Sequence, residues 1–480
     1  MRKRIFWLFL GLAMVSSLMA CSVAAAVTFT APELLGRPTA TAVTVNVVAA
    51  SALDAYFQYG MVSGKYTART ATVTSAAGTP IVVTMSGLKA DTRYYYRMRY
   101  RVHGATSFSA RPQHSFHTQR ATGSTFSFTV QADPHLGDPN TSEALYRVEL
   151  GNAAAERPDF LVDLGDTFMT EKFNAGAADV GVDYLAHRPF FGIVGASAPV
   201  FLATGNHEGE LGWLRDGTAK LPAVRCTLAR RKYYPGPVPG GFYSGSSTAE
   251  PFVGVRDSYY AWTWGNALFV VLDPFWYTTT KPGGNVDGWG WTLGEDQYRW
   301  LRKTVEGSSA RFKFVFIHHL VGGTGTEARG GIEGAGNFEW GGNNADGSWG
   351  FDARRPGWGK PIGQVLADSG VSIVFHGHDH LFVKQDLGGV VYQEAPRPNL
   401  RKYTDNGDAT KYGYLSGTVL PNSGHLRVTV SASKVTVDYV RAYLPGDGPN
   451  REVAYRYDVT SRASLAAASG ARRVPFGGAR

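Results

Sequence analysis

Residues 27–120 alternate apolar and polar positions over short runs, and Val43, Val45 and Val47 are the clearest example. This period of two places successive side chains on opposite faces of a strand. It predicts strands at residues 42–48, 55–59, 81–84 and 93–101. Because the region lacks helical periodicity, we expect an all-β sandwich over residues 27–120.

The pattern changes after residue 124, where continuous apolar runs alternate with helical segments. The runs predict strands at residues 126–132, 159–164, 200–204, 267–272, 312–317 and 371–375. Thr141 is expected to cap one helix that ends at Pro158, and Gly294 is expected to open another. This alternation favours an α/β layered domain over residues 124–458. The Ala-, Gly- and Arg-rich residues 459–480 are expected to form a frayed tail.

Residues 1–26 have the composition of a targeting segment. Arg2, Lys3 and Arg4 precede an uncharged apolar run at residues 5–20, which is short for a membrane span. Residues 18–21 resemble the lipobox of bacterial lipoproteins, in which Cys21 would carry the lipid anchor. We therefore expect an exported protein, either a periplasmic or cell-envelope lipoprotein or, after ordinary cleavage near residues 24–26, a secreted one.

The formal charge of the chain is +9, and removal of the three basic residues of the targeting segment lowers it to 9 − 3 = +6. A mildly basic surface suits anionic phosphate substrates, although a solvated surface explains it equally well. No Lys/Arg run indicates a nucleic-acid-binding module. The partner expected from the sequence is therefore a small phosphorylated substrate.

Polar motifs follow five of the predicted strands. Together with His376, which directly precedes the last motif, they contain seven of the twelve histidines of the chain. Because carboxyl ends of strands in an open α/β sheet meet at one edge, their side chains are expected to converge. Residues at i and i+2 should leave a strand on the same side. The motifs are Asp133 with His135, Gly165 with Asp166, Gly205 to Glu208, His318 with His319, and Gly377 to His380. They offer carboxylate, amide and imidazole ligands without thiolate, which suit Fe, Mn, Zn or Co.

In their joint order, the five motifs resemble those of the calcineurin-like metallophosphoesterases over residues 124–458. The resemblance implies a four-layer α/β sandwich with two divalent or trivalent metal ions. A hydroxide bridging the ions would attack a phosphomonoester or phosphodiester in line. The catalytic residue would be His207, which binds no metal and stabilises the transition state or protonates the leaving oxygen. The implied ligands are Asp133, His135, Asp166 and His380 for the first ion and Asp166, Asn206, His318 and His378 for the second.

Residues 88–96 resemble the tyrosine corner of fibronectin type III domains, so Tyr94 and Tyr96 are expected to be structural. Purple acid phosphatases also combine such a module with a metallophosphoesterase domain. Their first metal takes a Tyr three residues after the bridging Asp, where this chain has Met169, so a tyrosinate-iron centre is not expected. Calcineurin has an Asp there that orients the catalytic His, which leaves the support of His207 open.

Residues 321–359 contain 13 glycines in 39 residues and start directly after the predicted ligand motif at His318. A segment of this length is either a solvated surface loop or a functional one. We expect it to fold over the metal centre, with Arg329 and Trp340 as substrate-binding residues. His319 is expected to support the site or contact substrate, and His376 is interpreted as structural.

Two further functions are compatible with these motifs. A catalytically retired metallophosphoesterase fold could serve as a binding or adhesion protein of the cell envelope, in which the β-sandwich contacts glycan. Alternatively, the same metal site could hydrolyse diesters or nucleotides, because fold and metal core are shared among substrates. Since no ligand position is substituted, the sequence favours an enzyme.

Overall fold

A computed structural model describes residues 27–281, 287–324 and 327–460. The predicted targeting segment, including Cys21, lies outside the described residues. So does most of the predicted tail, although its first two residues belong to the last strand, Val453–Thr460. None of the described helices has the length and apolarity required to cross a membrane.

The N-terminal region is a sandwich of two antiparallel sheets, as the alternating pattern predicts. One sheet has the order β1-β2-β6, and in the other β3 pairs with β7 while β4, β5, β8 and β9 extend the edges. The strands are β1 Phe29–Gly36, β2 Ala42–Ala49, β3 Leu53–Gly60, β4 Ala68–Arg69, β5 Val73–Ser75, β6 Ile81–Ser86, β7 Arg93–Val102, β8 Ser109–Ala110 and β9 His114–His117. Val43, Val45 and Val47 point into the core between the sheets, against Phe57 and Met98.

Tyr94 and Tyr96 both have structural roles. The Lys89 amide donates a hydrogen bond to the Tyr94 hydroxyl over 3.0 Å, which closes the predicted tyrosine corner. Tyr96 lies on the same strand, and its hydroxyl donates to the Ala196 carbonyl of the following domain over 2.7 Å. The second tyrosine therefore links the sandwich to the rest of the protein.

Apart from a separate two-stranded ribbon of Ala249–Glu250 and Gly254–Val255, the described part of the second domain contains two sheets that face each other. Their orders are β12-β11-β10-β23-β24-β25 and β13-β16-β17-β18-β19-β21-β20-β22. Its strands are β10 Phe126–Gln131, β11 Leu161–Asp163, β12 Val200–Leu202, β13 Ser244–Gly245, β14 Ala249–Glu250, β15 Gly254–Val255, β16 Tyr260–Trp264, β17 Ala267–Val271, β18 Phe312–Phe316, β19 Ile373–His376, β20 Phe382–Leu387, β21 Val390–Glu394, β22 Thr418–Leu420, β23 Gly424–Val430, β24 Lys434–Arg441 and β25 Val453–Thr460.

Helices cover the outer faces of both sheets. The helices are α1 Glu143–Ala155, α2 Thr170–Phe173, α3 Gly181–Gly195, α4 Pro222–Tyr233, α5 Glu295–Glu306, α6 Phe338–Gly341, α7 Phe351–Arg354, α8 Ile362–Asp368 and α9 Asp408–Lys411. Phe128, Phe269 and Phe314 pack between the two sheets. α1 and α3 pack on the outside of the first sheet, and α5 and α8 on the outside of the second. The four-layer α/β prediction is therefore confirmed.

One predicted helix cap is wrong. The side chain that accepts a hydrogen bond at the start of α1 belongs to Ser142, which receives the Leu145 amide, and Thr141 lies one residue earlier. The helix ends at Ala155, before Pro158. Gly294 does precede α5, where its φ of 76° favours glycine.

Candidate metal centre

The five motifs follow the carboxyl ends of β10, β11, β12, β18 and β19, and the structure brings them together. β10, β11 and β12 run parallel in one sheet, and β18 and β19 run parallel in the other. Both sheets direct these ends toward one site. Its residues therefore come from widely separated parts of the chain, as the open-sheet rule predicts.

Most of the predicted ligands lie in turns beyond the strands. Five of them have left-handed backbone conformations, with φ angles of 59° at Asp133, 44° at His135, 55° at Asp166, 83° at His378 and 62° at His380. This region is strained for residues with a Cβ atom and is enriched at functional sites. The residues at i and i+2 do face the same site, as expected, but these turns, not the strand pleat, direct their side chains.

Asp133, His135 and His380 form the first cluster. The Asp133 Oδ1 atom lies 3.6 Å from Nε2 of His135 and 3.6 Å from Nε2 of His380. Asp133 Oδ1 and His135 Nε2 are both buried without a hydrogen-bond partner. A buried carboxylate oxygen and imidazole nitrogen that face each other unpaired fit a cation between them.

Asp166, His318 and His378 form the second cluster. His318 Nε2 lies 3.3 Å from Asp166 Oδ2 and 3.1 Å from His378 Nδ1. The Asn206 Oδ1 atom is 3.0 Å from the same nitrogen, which places the amide in the cluster. Asp166 Oδ2 is also 3.4 Å from His135 Nε2 of the first cluster. Asp166 therefore stands between the two clusters.

Backbone carbonyls orient the two histidines of the second cluster. His318 donates its Nδ1 proton to the Leu164 carbonyl over 3.0 Å, which leaves Nε2 facing the site. His378 donates its Nε2 proton to the Glu327 carbonyl over 2.8 Å, which leaves Nδ1 facing the site. Such contacts fix tautomer and ring orientation in metal-binding histidines. The second cluster is therefore preorganised for a cation.

The charges of the cluster keep Asp166 ionised. Burial disfavours a charge on this carboxyl, but the neighbouring His318 and His207 hold its pKa well below the ordinary value. Burial likewise opposes protonation of His318, yet the Asp166 carboxylate raises its pKa to about 10. An ionised carboxylate is the form that a cation binds.

His207 lies at the edge of the clusters and is half-buried. Its Nδ1 atom is 3.0 Å from Glu171 Oε2, and its Nε2 atom is 3.9 Å from Asp166 Oδ2. Although burial opposes protonation, the charge of Asp166 and the contact with Glu171 raise the pKa of His207. Because His135, Asp166 and His207 also lie close enough to hold an ion, its assignment as a residue that binds no metal stays a prediction.

Sequence reasoning missed Glu171 as a site residue and gave no role to Glu208. Glu171 belongs to no motif, and the only signal in the sequence is a carboxylate five residues after Asp166. The Glu208 carboxylate is fully buried and accepts the amides of Gly205, Asp166, Thr167 and Phe168. It therefore stabilises the turn that presents Asp166.

The predicted substrate-binding residues have different fates. Arg329 lines the site, where its Nη1 donates to the His378 carbonyl over 2.9 Å and to Asp379 Oδ1 over 3.0 Å. Trp340 is 0% exposed and donates to the Tyr392 hydroxyl within the core, so its assignment to substrate is wrong.

His319 is buried behind Trp291, and its Nδ1 proton is donated to the Leu320 carbonyl. It supports the wall of the site and is not placed to contact substrate. His376 is also buried, with Nδ1 2.5 Å from Glu394 Oε2, in agreement with a structural interpretation.

A cavity of about 330 Å³ opens over both clusters. A volume of this order accommodates a small molecule. Its basic side chains are Lys172, Lys281 and Arg329, and its aromatic walls are Trp213 and Trp291. Cationic side chains beside two carboxylate and imidazole clusters suit a small anionic substrate.

Comparisons with known proteins agree with this architecture. The sequence model of the family described as calcineurin-like phosphoesterase matches residues 126–382. The solved structure of PhoD is 15% identical, with a TM-score of 0.62 over 90% of this chain and 89% of that one. The purple acid phosphatase PPD1 of yellow lupin (Lupinus luteus) is 13% identical, with a TM-score of 0.60 over 89% and 74%. At these identities the two structures show a shared fold. No curated protein sequence matches the chain.

Proposed function

Because the chain belongs to the calcineurin-like phosphoesterases and is thus a metal-dependent phosphoester hydrolase, we propose that it uses two metal ions to hydrolyse small phosphomonoesters or phosphodiesters. The first ion would be held by Asp133, His135, Asp166 and His380. The second would be held by Asp166, Asn206, His318 and His378. The position of Asp166 between two ligand clusters is the observation that supports this most directly.

The proposed chemistry divides between the ions and the chain. Bound ions would lower the pKa of a coordinated water and neutralise phosphoryl oxygens. The chain supplies the carboxylate, amide and imidazole ligands, and Arg329 at the rim of the cavity can hold a phosphoryl oxygen. His207 stands at the edge of the clusters, where it can give a proton to the leaving oxygen. The ligand chemistry suits Fe, Mn, Zn or Co.

The experiment compares metal content and activity in Asp166→Ala and in a matched control. Asp138→Asn is the control, because Asp138 lines the same cavity but belongs to neither cluster. Asp166→Ala should lose both ions and hydrolysis of mono- and diester substrates together, whereas Asp138→Asn should keep two ions per chain. Elemental analysis and a panel of ester substrates measure both. An Asp166→Ala protein that retains two ions and full activity would contradict the proposal.

We also propose that the protein is exported and anchored to the cell envelope through a lipid on Cys21. The basic residues 2–4, the apolar run and the lipobox-like residues 18–21 support this. Cys21→Ser should move the protein from the membrane fraction to the soluble periplasmic or extracellular fraction. If wild type and variant are both soluble outside the cytoplasm, ordinary signal cleavage explains the segment instead.

A further inference from the structure

Glu171 contacts His207 in two ways. Its Oε2 atom lies 3.0 Å from the imidazole Nδ1, and its backbone amide donates to the His207 carbonyl over 3.0 Å. The side chain lines the cavity above the clusters and is part of none of the ligand groups found among the described residues. The contact therefore joins the turn after β11 to the motif after β12, beside the ligands and not among them.

The local backbone places Glu171 at this position. Met169 adopts a left-handed conformation with φ of 54° directly before α2, and Glu171 falls in the first turn of that short helix. The preceding amides, from Asp166 to Phe168, are held by the buried Glu208 carboxylate. The Glu208 carboxylate holds the start of this turn, and the hydrogen bond from the Glu171 amide to the His207 carbonyl holds its end. The backbone that carries the Glu171 carboxylate is therefore fixed next to His207.

We propose that Glu171 is the positioning residue of His207. By accepting a hydrogen bond from Nδ1–H, it fixes the ring plane, so that Nε2 faces the cavity next to Asp166. The inference rests on the proposed role of His207 as the proton donor to the leaving group. It assigns to Glu171 the support that the apolar Met169 cannot provide.

In the proposed reaction, His207 gives the leaving oxygen its proton. When the phosphorus–oxygen bond breaks, its electron pair stays on the ester oxygen, which takes the Nε2 proton of His207. The attacking hydroxide becomes part of the phosphate product, and His207, which starts as an imidazolium with a proton on each ring nitrogen, becomes a neutral imidazole that keeps its Nδ1 proton, held by Glu171. Without Glu171 the ring can rotate, so that Nε2 no longer points at the leaving oxygen.

Esters that differ in the acidity of their leaving group test this role. A nitrophenolate leaves without protonation, whereas an alkoxide requires a proton from the enzyme. Glu171→Ala should therefore lower kcat/KM for alkyl phosphates by about 10- to 100-fold, the range found for groups that orient metal-binding histidines, and for 4-nitrophenyl phosphate by much less. Glu171→Gln still offers an oxygen to Nδ1 and should fall between wild type and Glu171→Ala.

His207→Ala and the Glu171→Ala/His207→Ala double variant complete the design. The double variant should be no slower than His207→Ala, because Glu171 acts only through His207. Asp138→Asn removes another carboxylate from the same cavity without touching His207, and it should keep the wild-type dependence on the leaving group. Metal content is measured in every variant and should stay at the wild-type value.

Two results would overturn the inference while leaving the proposed function intact. One is an equal loss for alkyl and nitrophenyl esters in both Glu171 variants. The other is a further loss in the double variant beyond His207→Ala. A His207→Ala protein that loses an ion, or that hydrolyses alkyl esters at the wild-type rate, would instead refute the assignment of His207 and the inference with it. Because Glu171→Gln is isosteric, it provides the test if Glu171→Ala fails to fold.

Discussion

Arg329 and Trp340 come from the same glycine-rich segment, yet their surroundings assign them opposite roles. Arg329 lines the cavity and is tied to the loop of His378 and Asp379. Trp340 is enclosed by the core of the second sheet and its helices. A residue's function in this segment thus depends on which side of the cavity wall it occupies.

Alanine variants of these two residues should separate binding from stability. Arg329→Ala removes a cation that can pair with a phosphoryl oxygen, so KM should rise by roughly 10- to 150-fold, equivalent to the roughly 1.5–3 kcal/mol of a charged hydrogen bond. Trp340→Ala should lower the free energy of unfolding by about 3–5 kcal/mol through a core cavity. Steady-state kinetics and urea unfolding measure the two effects. A Trp340→Ala protein of normal stability with an altered KM would contradict this division.

At the scale of elements, α1 is attached to β23 by a buried charge cluster. His425 of β23 lies with Nδ1 2.9 Å from Glu149 and Nε2 3.1 Å from Glu156, both on or beside α1. Arg427 pairs with Glu156 and Asp438 at the edge of this cluster. Although burial opposes protonation, the two carboxylates raise the pKa of His425 to about 9.

This cluster predicts a pH-dependent stability. The pKa of His425 in the folded protein is above the unfolded value near 6.5. Its contribution to the free energy of unfolding is therefore complete below about pH 6.5 and is lost as the pH rises through about 9. The difference between the folded and unfolded pKa values corresponds to roughly 3 kcal/mol of stability. Urea unfolding of wild type and His425→Gln should be measured between pH 6 and pH 10. The difference between their free energies of unfolding should become smaller as the pH rises. A constant difference would show that folding does not raise the pKa of His425.

At the scale of the whole molecule, one arginine connects the sandwich to the catalytic domain. Arg188 of α3 is buried and donates to the Asn46 side chain, to the Asn46 and Pro32 carbonyls of the sandwich, and to the Tyr233 carbonyl. Pro32 and Asn46 lie on β1 and β2, whose outer face is covered by α3, whereas Tyr233 ends α4. The two domains therefore share a packed and hydrogen-bonded interface.

Replacement of Arg188 should weaken this interface. Arg188→Met keeps most of the side-chain volume but leaves buried oxygens without donors, at about 1–3 kcal/mol for each group. Arg147→Met is the matched control, because Arg147 is an exposed arginine of neighbouring α1 that stacks on Phe190. Calorimetry should show a lower Tm for Arg188→Met than for Arg147→Met. Equal transition temperatures would mean that the interface is held by apolar packing alone.

The motif residues and the strands that precede them could be predicted because both signals are local. The apolar runs before Asp133, Asp166 and His318 can be read directly from the sequence, and so can the order of the ligands. The contacts of Glu171 and Glu208 were not predictable, because each joins turns whose residues are about 40 positions apart in the chain. The left-handed turns that direct the ligands leave no periodic trace in the sequence.

The sequence by itself determined the two-domain organisation, the strand-and-helix alternation and the set of side chains available to metals, because hydrophobic periodicity and ligand chemistry are properties of short segments. Only the tertiary structure decided that Asp166 stands between two clusters, that Trp340 belongs to the core, and that Glu171 meets His207. These facts depend on how distant turns pack against one another. That packing is a balance over the whole fold, and no local pattern contains it.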